Sequence, residues 1–593
     1  MHDINDKSEQ NGYYMNFSLD VDIIKNMLSA KVLYGLNKEN TSRDSYIPSD
    51  IYYALQRKSR GNLGYGKRQQ STLEGTLTFQ HKFGELLDMN LMAGMGRYLD
   101  SGDGSDISYE NANDHIQGSS VGMADGPFYP TSYKYKNEKR SQFVRGSFDL
   151  FGRYVVSASL RRDGTDKFFP SKKYALFPSV SLAWKMNEES FIKNISWINM
   201  LKLRASYGET GSDNLGTTLY GIVTTTREDV QFNNNSVTYI PYILSGANYE
   251  DVTWQKTVMK NIGLDFSIFR DRIWGSVDVF RNDVTHLLGT APTELLGMHG
   301  TRPINGGHYK RTGIDVSLNS LNLQTHDFKW TSQITMSHYN AVWIERMPNY
   351  DYQKYQKRKN EPMNAFYYYK TTGIIDMDKS NMPESQRSLG PAACMPGYPI
   401  VEDKNGDGII DVNDSYMDNM LPKLYFGFGN TFTWKNFDLD IFMYGQLGVK
   451  KWNDAYSYSA DAGNLSRGVD AHNVGIYSYN IWNTQTNTNG RFPGIAISKS
   501  VALPENLGFD YTRENASYIR VRNITLGYNL GPKELSVFKG YIRGIRVFVD
   551  FQNPLTFTKY KGYDPEINTS SSNLTGGQYP QMRVYSIGAK LTF

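Results

Sequence analysis

Apolar and polar residues alternate with period two through many short segments of the chain. In a strand that spacing sets successive side chains on opposite faces. In the segment RVFVDFQ (546–552), Val547, Val549 and Phe551 share one face while Arg546, Asp550 and Gln552 share the other, and Phe548 breaks the pattern. NIGLDFSIF (261–269) puts Ile262, Leu264, Phe266 and Ile268 on one side, and FDLDIFMY (437–444) sets Phe437, Leu439, Ile441 and Met443 against Asp438 and Asp440. Such segments come in pairs: 142–150 with 153–161, 259–269 with 272–281, and 424–435 with 437–447. The connectors Arg270-Asp271 and Lys435-Asn436 have hairpin length. Between other neighbours lie long polar stretches, 100–139, 211–250, 341–420 and 449–515, which are expected to be loops.

Tight turns at one end and long loops at the other are the pattern of an outer-membrane barrel. The expected fold is therefore all-β, a transmembrane antiparallel β-barrel, with roughly sixteen strands in this chain. A soluble propeller or sandwich would also give period-two strands. A propeller should repeat every ~40–50 residues, and no such repeat is visible. The last strand also favours a barrel: Tyr585, Ile587, Ala589, Leu591 and Phe593 alternate to the final residue. A closed barrel needs a last strand that pairs and leaves no edge.

Composition narrows the picture. The chain has 593 residues, more than one ordinary soluble core, and its net charge of +4 with 21% charged residues gives no bias toward nucleic acid. Aromatic residues reach 14% and glycines number 53. Mean hydropathy is −0.53, and no apolar run of about 18 residues exists, so a transmembrane helix is excluded. Strands that alternate lipid-facing and lumen-facing residues span a bilayer at such a hydropathy. Cys394 is the single cysteine, which excludes an internal disulfide and a Cys-based zinc site. The start, MHDINDKSEQNGYYMNF, lacks a basic region followed by an apolar one, the mark of an export leader.

Five stretches, in order along nearly the whole chain, resemble SusC/RagA-type TonB-dependent transporters of Bacteroidota. They are YVVSASLRRDGTDKFFPSKKYALFPSVSLAWKMNEESFIKNISWINMLKLRASYGETGSDN (154–214), WQKTVMKNIGLDFSIFRDRIWGSVDVF (254–280), DKNGDGIIDVNDSYMDNMLPKLYFGFGNTFTWKNFDLDIF (403–442), NASYIRVRNITLGY (515–528) and NPLTFTKYKGYDP (553–565). The terminal Phe593 matches as well. The resemblance implies a barrel of about 22 strands around an N-terminal plug, coupling to inner-membrane energy through TonB, and a SusD-like lipoprotein at the extracellular mouth. It implies a cell outer membrane location, with membrane lipid around the wall and an oligosaccharide or peptide as substrate. Residues 1–593 are then expected to be the C-terminal part of the barrel, with the signal, the TonB-contacting segment and the plug outside the chain.

The sharpest local motif is DKNGDGIIDVND (403–414). Asp403, Asn405, Asp407, Asp411 and Asp414 stand at positions 1, 3, 5, 9 and 12 of a calcium loop, Gly408 at the sharp turn, and Ile409 offers a carbonyl at position 7. Asp414 replaces the usual bidentate Glu, so weak or partial calcium binding is expected, stiffening a loop. The bland reading is an acidic solvated turn. Two aromatic sets, Phe366 to Tyr369 and Tyr456, Tyr458, Tyr477, Tyr479 and Trp482, suit stacking on sugar rings, or packing within loops. Arg161, Arg162, Asp163 and Asp166 read as a strand-end ion-pair patch. No motif for hydrolysis or nucleotide chemistry stands out, and no catalytic residue or organic cofactor is expected. The expected function is TonB-dependent nutrient import without chemical change to the substrate. The alternative is a secreted or surface glycan-binding β-protein stiffened by calcium.

Overall fold

In the computed structural model, described residues are 4–593 except 50–57, 112–120, 215–223, 228–231, 235–236, 240–241, 246–249, 293–300, 349–351, 358–359, 454–479, 495–502, 512, 533, 539–540, 563 and 568–580. Among the described residues seventeen strands belong to one large antiparallel sheet, close to the roughly sixteen that the pattern suggested. They are β1 (Asn5–Ile24), β2 (Leu28–Ile47), β3 (Arg60–Phe83), β4 (Leu87–Glu110), β5 (Phe128–Leu150), β6 (Tyr154–Thr165), β7 (Tyr174–Lys185), β8 (Ile198–Ser212), β9 (Gln255–Ile268), β10 (Ile273–Pro292), β11 (Thr301–Gln324), β12 (Phe328–Glu345), β13 (Leu424–Trp434), β14 (Phe437–Leu447), β15 (Tyr518–Leu530), β16 (Gly544–Thr558) and β17 (Val584–Thr592). No helix among the described residues is long and apolar enough to cross a membrane.

The chain divides into two compact units, residues 1–184, 205–259 and 284–306 in one, and 185–204, 260–283 and 307–593 in the other. In the first, β1 to β7 pair successively. Phe17 faces Tyr34, Leu77 faces Ala93, Val144 faces Leu160 and Arg162 faces Leu176. In the second, β11 pairs β12, β12 pairs β13, and β13 to β17 continue through β14, β15 and β16.

The strands are far longer than the ~5–6 residues usual in globular proteins; β3 and β4 have 24 each. Much of the stretch 100–139, expected to be loop, is strand, because β4 runs to Glu110 and β5 starts at Phe128. In these extensions, such as SGDGSDISYE, both faces are polar, so the alternation that marks a strand fades.

The apolar residues lie where a water-soluble protein would not put them. On β1, Tyr13, Met15, Phe17, Leu19 and Val21 share a face, and Phe17 and Leu19 are each 64% exposed. On β17, Ile587 is 78% exposed, and Phe593, next after Thr592, is 75% exposed. Repeated over neighbouring strands (Leu73 and Leu77, Met95, Val144, Leu160, Leu176), this is a continuous apolar surface far beyond a scattered surface residue. The opposite face carries hydrogen-bonded polar side chains. Buried apolar clusters are small: Phe168, Phe177, Val252 and Trp254 in the first unit, and Tyr369, Val401, Ile410 and Leu503 in the second.

Aromatic side chains also cover glycines across strands. At Gly94 a Cβ would lie 2.4 Å from the Phe143 ring, so only glycine leaves room for the ring on the polar face. Phe548, which breaks the pattern of β16, does the same. Its ring occupies the space beside Gly588, where a Cβ would meet it at 2.5 Å, and Arg546 stacks 5.1 Å from the ring centroid.

Candidate functional site

The polar face of β1 to β5 holds a groove of about 470 Å³, lined among others by Tyr14, Asn16, Asn37, Gln70, Tyr98 and Asp100. Period two brings these residues together, since each belongs to the polar half of its strand. Their side chains form a relay. Asn37 Nδ2 donates to Gln70 Oε1 at 3.3 Å, and Gln70 Nε2 donates to Asp100 Oδ2 at 3.4 Å. Arg68 holds Asp100 through two bonds of 3.1 and 2.8 Å. Tyr98 OH donates to Glu74 at 2.8 Å, and Lys139 to Asp213 at 2.6 Å. Asn37 Oδ1 is buried with no hydrogen-bond partner. An unpaired buried acceptor costs about 1–3 kcal/mol. The groove offers donors, acceptors and two phenol rings, with no nucleophile beside a base. It can bind; it has no evident means to break a bond.

A second groove, of about 560 Å³, lies on the polar face within the second unit, lined among others by Asp315, Ser337, Thr335, Tyr425, Phe442 and Tyr444. Ser337 Oγ donates to Asp315 at 2.6 Å. Beside it, Tyr339 and Tyr425 stack with centroids 5.7 Å apart and an interplanar angle of 2°, and Arg311 sits 3.9 Å above the Tyr339 ring. The sequence signalled neither groove, since period two identifies the polar face and not which of its residues are neighbours.

The residues singled out from sequence lie elsewhere. The 403–414 loop wraps around its own carboxylates. Asp403 accepts from the N–H groups of Gly406 (2.8 Å) and Gly408 (2.9 Å), and Asp407 accepts from Ile409 N–H (2.9 Å) and from Asn405 Nδ2 (2.8 Å). Gly406 and Gly408 take φ of 73° and 84°, a left-handed conformation that glycine adopts freely. Asp411 and Asp414 form a reciprocal capping box on the short turn Val412–Asp414. Asp414 is fully buried, one oxygen accepting from Lys404 N–H at 2.9 Å and the other from Asp411 N–H at 2.8 Å. Its short side chain suits that cap, and both oxygens already have donors. Among the described residues no group of three or more His, Cys, Asp or Glu is gathered to hold a metal ion.

Phe366 to Tyr369 are not loop platforms. They lie in the strand Ala365–Tyr369, paired with Tyr416–Asn419 and Gly508–Phe509. Tyr367, Tyr368 and Tyr369 are buried, so packing, not ligand stacking, explains that run. Trp482 is buried against Gly397; Tyr456, Tyr458, Tyr477 and Tyr479 lie outside the described residues. In the charge cluster, Arg161 pairs with Asp163 at 2.8 Å and Asp166 accepts from Glu138 N–H at 2.8 Å. Arg162 lies 4.1 Å from the Tyr174 ring centroid.

Comparison with known proteins agrees with this architecture. TonB-dependent receptor P3 of Formosa agariphila is 26% identical over 99% of this chain and 58% of its own length. TonB-dependent receptor SusC of Bacteroides thetaiotaomicron is 27% identical over 78% of this chain and 44% of its own length. The chain thus spans about half the length of the curated relatives it matches. The solved RagAB peptide transporter shares the fold, with a TM-score of 0.79 at 21% identity, covering 100% of this chain and 63% of that one. These relatives are receptors and transporters, not enzymes. Residues 1–553 match the family described as TonB dependent receptor-like, beta-barrel, and the chain belongs to that family.

Proposed function

We propose that this chain supplies wall strands of an outer-membrane importer that takes up an oligosaccharide or peptide, TonB-dependent and working with a SusD-like lipoprotein. The observation that carries the reading is the reversal of faces: apolar side chains outside, linked polar side chains and grooves on the other face, in a chain of this family. Import needs a wall that holds a polar molecule without altering it, and the groove at Asn37 and Asp100 has that character. A secreted glycan-binding protein would have to hide the apolar surface of β1 to β7 from water, and a surface of that extent favours lipid. The location follows from the same reasoning: the outer membrane, with lipid against the apolar face.

The full-length receptor in its native host provides the test. Asn37→Leu combined with Asp100→Ala removes an acceptor and the anchor of the relay, and uptake of a labelled substrate is expected to fall about tenfold or more at limiting concentration. Oligosaccharide and oligopeptide pools are assayed in parallel. Unchanged uptake of both, with the variant present at normal level in the outer membrane, would remove this groove from the transport path.

The calcium expectation continues as a narrower proposal. Asp403, Asn405, Asp407, Asp411 and the Ile409 carbonyl are the available donors, while Asp414 is committed to its cap. Binding has to displace internal hydrogen bonds, so a dissociation constant at or above ~10⁻⁴–10⁻³ M is expected. Calorimetric titration of the refolded full-length receptor measures it, and no heat up to millimolar calcium ends the idea.

A further inference from the structure

The apolar face of the first unit contains a cleft that neither the polar grooves nor the transport reading uses. Its volume is about 520 Å³, and its lining changes character along its length. Val32, Leu73 and Met95 form an apolar end; Arg97, Arg140 and Arg162 form the other. The register explains the grouping. Leu73 faces Arg97, Arg97 faces Arg140, Gln142 faces Arg162, and Arg162 faces the apolar Leu176. All three arginines therefore stand on the same face as Leu73, Met95 and Leu176, the face otherwise given to exposed apolar side chains.

Their height is equally regular. Arg97 is ten residues beyond Leu87, the start of β4, and Arg140 is ten before Leu150, the end of β5. At ~3.4 Å per residue and a tilt of ~40°, ten residues rise about 26 Å above the short turns. The apolar band of an outer-membrane barrel is about 25 Å tall. Arg162, eight residues beyond Tyr154, the start of β6, rises about 21 Å by the same measure. The three arginines thus stand at the end of the band away from the short turns, which is the extracellular end.

Charge there is not balanced. Arg97 and Arg140 share one carboxylate, Glu138, at 3.0 and 2.5 Å. Arg162 donates to the neutral Gln142 at 3.3 Å and stacks 4.1 Å from the centroid of Tyr174. Three guanidinium groups face one carboxylate at the rim of an apolar cleft, and cationic side chains on a lipid-facing wall need an anionic partner.

We propose that this cleft binds a phosphorylated, multiply acylated glycolipid of the extracellular leaflet, its phosphate held by Arg97, Arg140 and Arg162 and an acyl chain lying along Val32, Leu73 and Met95. The ring of Tyr174 fixes Arg162 from beneath and is suited to stack beside a sugar of the headgroup. The proposal rests on the outer-membrane reading above, but not on the identity of the imported substrate. Its site is a lipid clamp outside the wall, separate from the polar grooves.

The test uses the full-length receptor purified in detergent, as wild type and as R97A/R140A/R162A, with R162K as a conservative second variant. Each is mixed with micelles of the phosphorylated glycolipid, of the same glycolipid after enzymatic dephosphorylation, or with inorganic phosphate alone. Wild type is expected to retain the phosphorylated lipid through size exclusion and to gain thermal stability from it. The triple variant should lose that gain, with retention falling roughly tenfold per arginine removed, the scale of one charge-assisted hydrogen bond. R162K should keep most of it. Equal retention of the phosphorylated and dephosphorylated lipid by wild type overturns the proposal, as does an equal stabilisation by inorganic phosphate, which would leave an anion site only. If the triple variant does not fold, the wild-type arms decide alone. Heat-modifiable gel migration separates the two readings: its loss in wild type removes the barrel reading, whereas its presence without lipid discrimination removes this proposal only.

Discussion

Replacing Arg520 by methionine is expected to destabilise the full-length receptor by about 3–5 kcal/mol, the cost of breaking a buried ion pair and leaving its partner uncompensated. Arg520 is 2% exposed. Its guanidinium bonds Asp564 at 2.7 Å and Glu566 at 2.6 Å, and its Nε donates to Thr556 Oγ1 at 3.0 Å. Tyr444 OH joins the same Glu566 at 2.7 Å, and Lys451 Nζ donates to the carbonyls of Pro565 (2.5 Å) and Ile567 (3.1 Å). Arg520 on β15 thereby ties the segment after β16 to β15 and β16, and Tyr444 ties the same segment to β14. Equilibrium unfolding in detergent or lipid measures the loss. The triple exchange R520M/D564N/E566Q should recover most of it, because removing all the charges removes the uncompensated one. A loss below about 1 kcal/mol for R520M alone would mean that Arg520 is not the anchor.

The pH dependence of this anchor has a definite sign. Burial alone raises the carboxyl of Asp564, but the N–H groups of Glu566 and Gln581 and the Arg520 guanidinium outweigh it, and the net shift is downward from 3.8. A depressed carboxyl contributes stability that is present above its unfolded value and is lost only as pH falls through the lower folded value. The anchor therefore holds throughout the neutral and mildly acidic range.

How far the sequence disclosed these features depended on how many solvents each segment meets. β14 and β16 carry an apolar face and a polar one, so their alternation was plain, and the pairs 142–150 with 153–161 and 424–435 with 437–447 were found as hairpins. The outer halves of β4 and β5 carry mostly polar residues on both faces, so residues 100–110 and 128–139 lost the signal and read as loop. Phe548 looked like an error in the pattern because its partner, Gly588, is 40 residues away in sequence. Phe366 to Tyr369 looked like a display of rings because four consecutive aromatics have no period, whereas the burial of Tyr369 depends on Val401, Ile410 and Leu503, all distant in sequence. The calcium spacing was visible to the residue. What spacing could not reveal is that Asp414 turns both oxygens to backbone N–H groups. The arginines of the outer cleft were half visible: Arg162 stood out in a charge cluster, but its grouping with Arg97 and Arg140 depends on register across β4, β5 and β6.

The assignment of faces itself predicts the second large effect. Leu77→Arg in the full-length receptor is expected to cost about 2–4 kcal/mol, the penalty for a cation on the lipid face near the bilayer midplane. Leu77 is 46% exposed and lies six residues before Phe83, the end of β3, a rise of about 16 Å at ~3.4 Å per residue and ~40° tilt. Thr78→Arg changes the next residue, which points to the other face between Ser29 and Met92. A charge there meets the water-filled side, and a cost within about 1 kcal/mol is expected. The comparison is made by reversible unfolding in lipid vesicles, where membrane and lumen environments both exist. The same pair in a water-soluble sandwich would give the opposite order or no difference, since an exposed leucine tolerates arginine and a half-buried threonine does not. Because the two positions are adjacent in one strand, propensity and local sequence nearly cancel, and the difference isolates the medium that each face of the sheet meets.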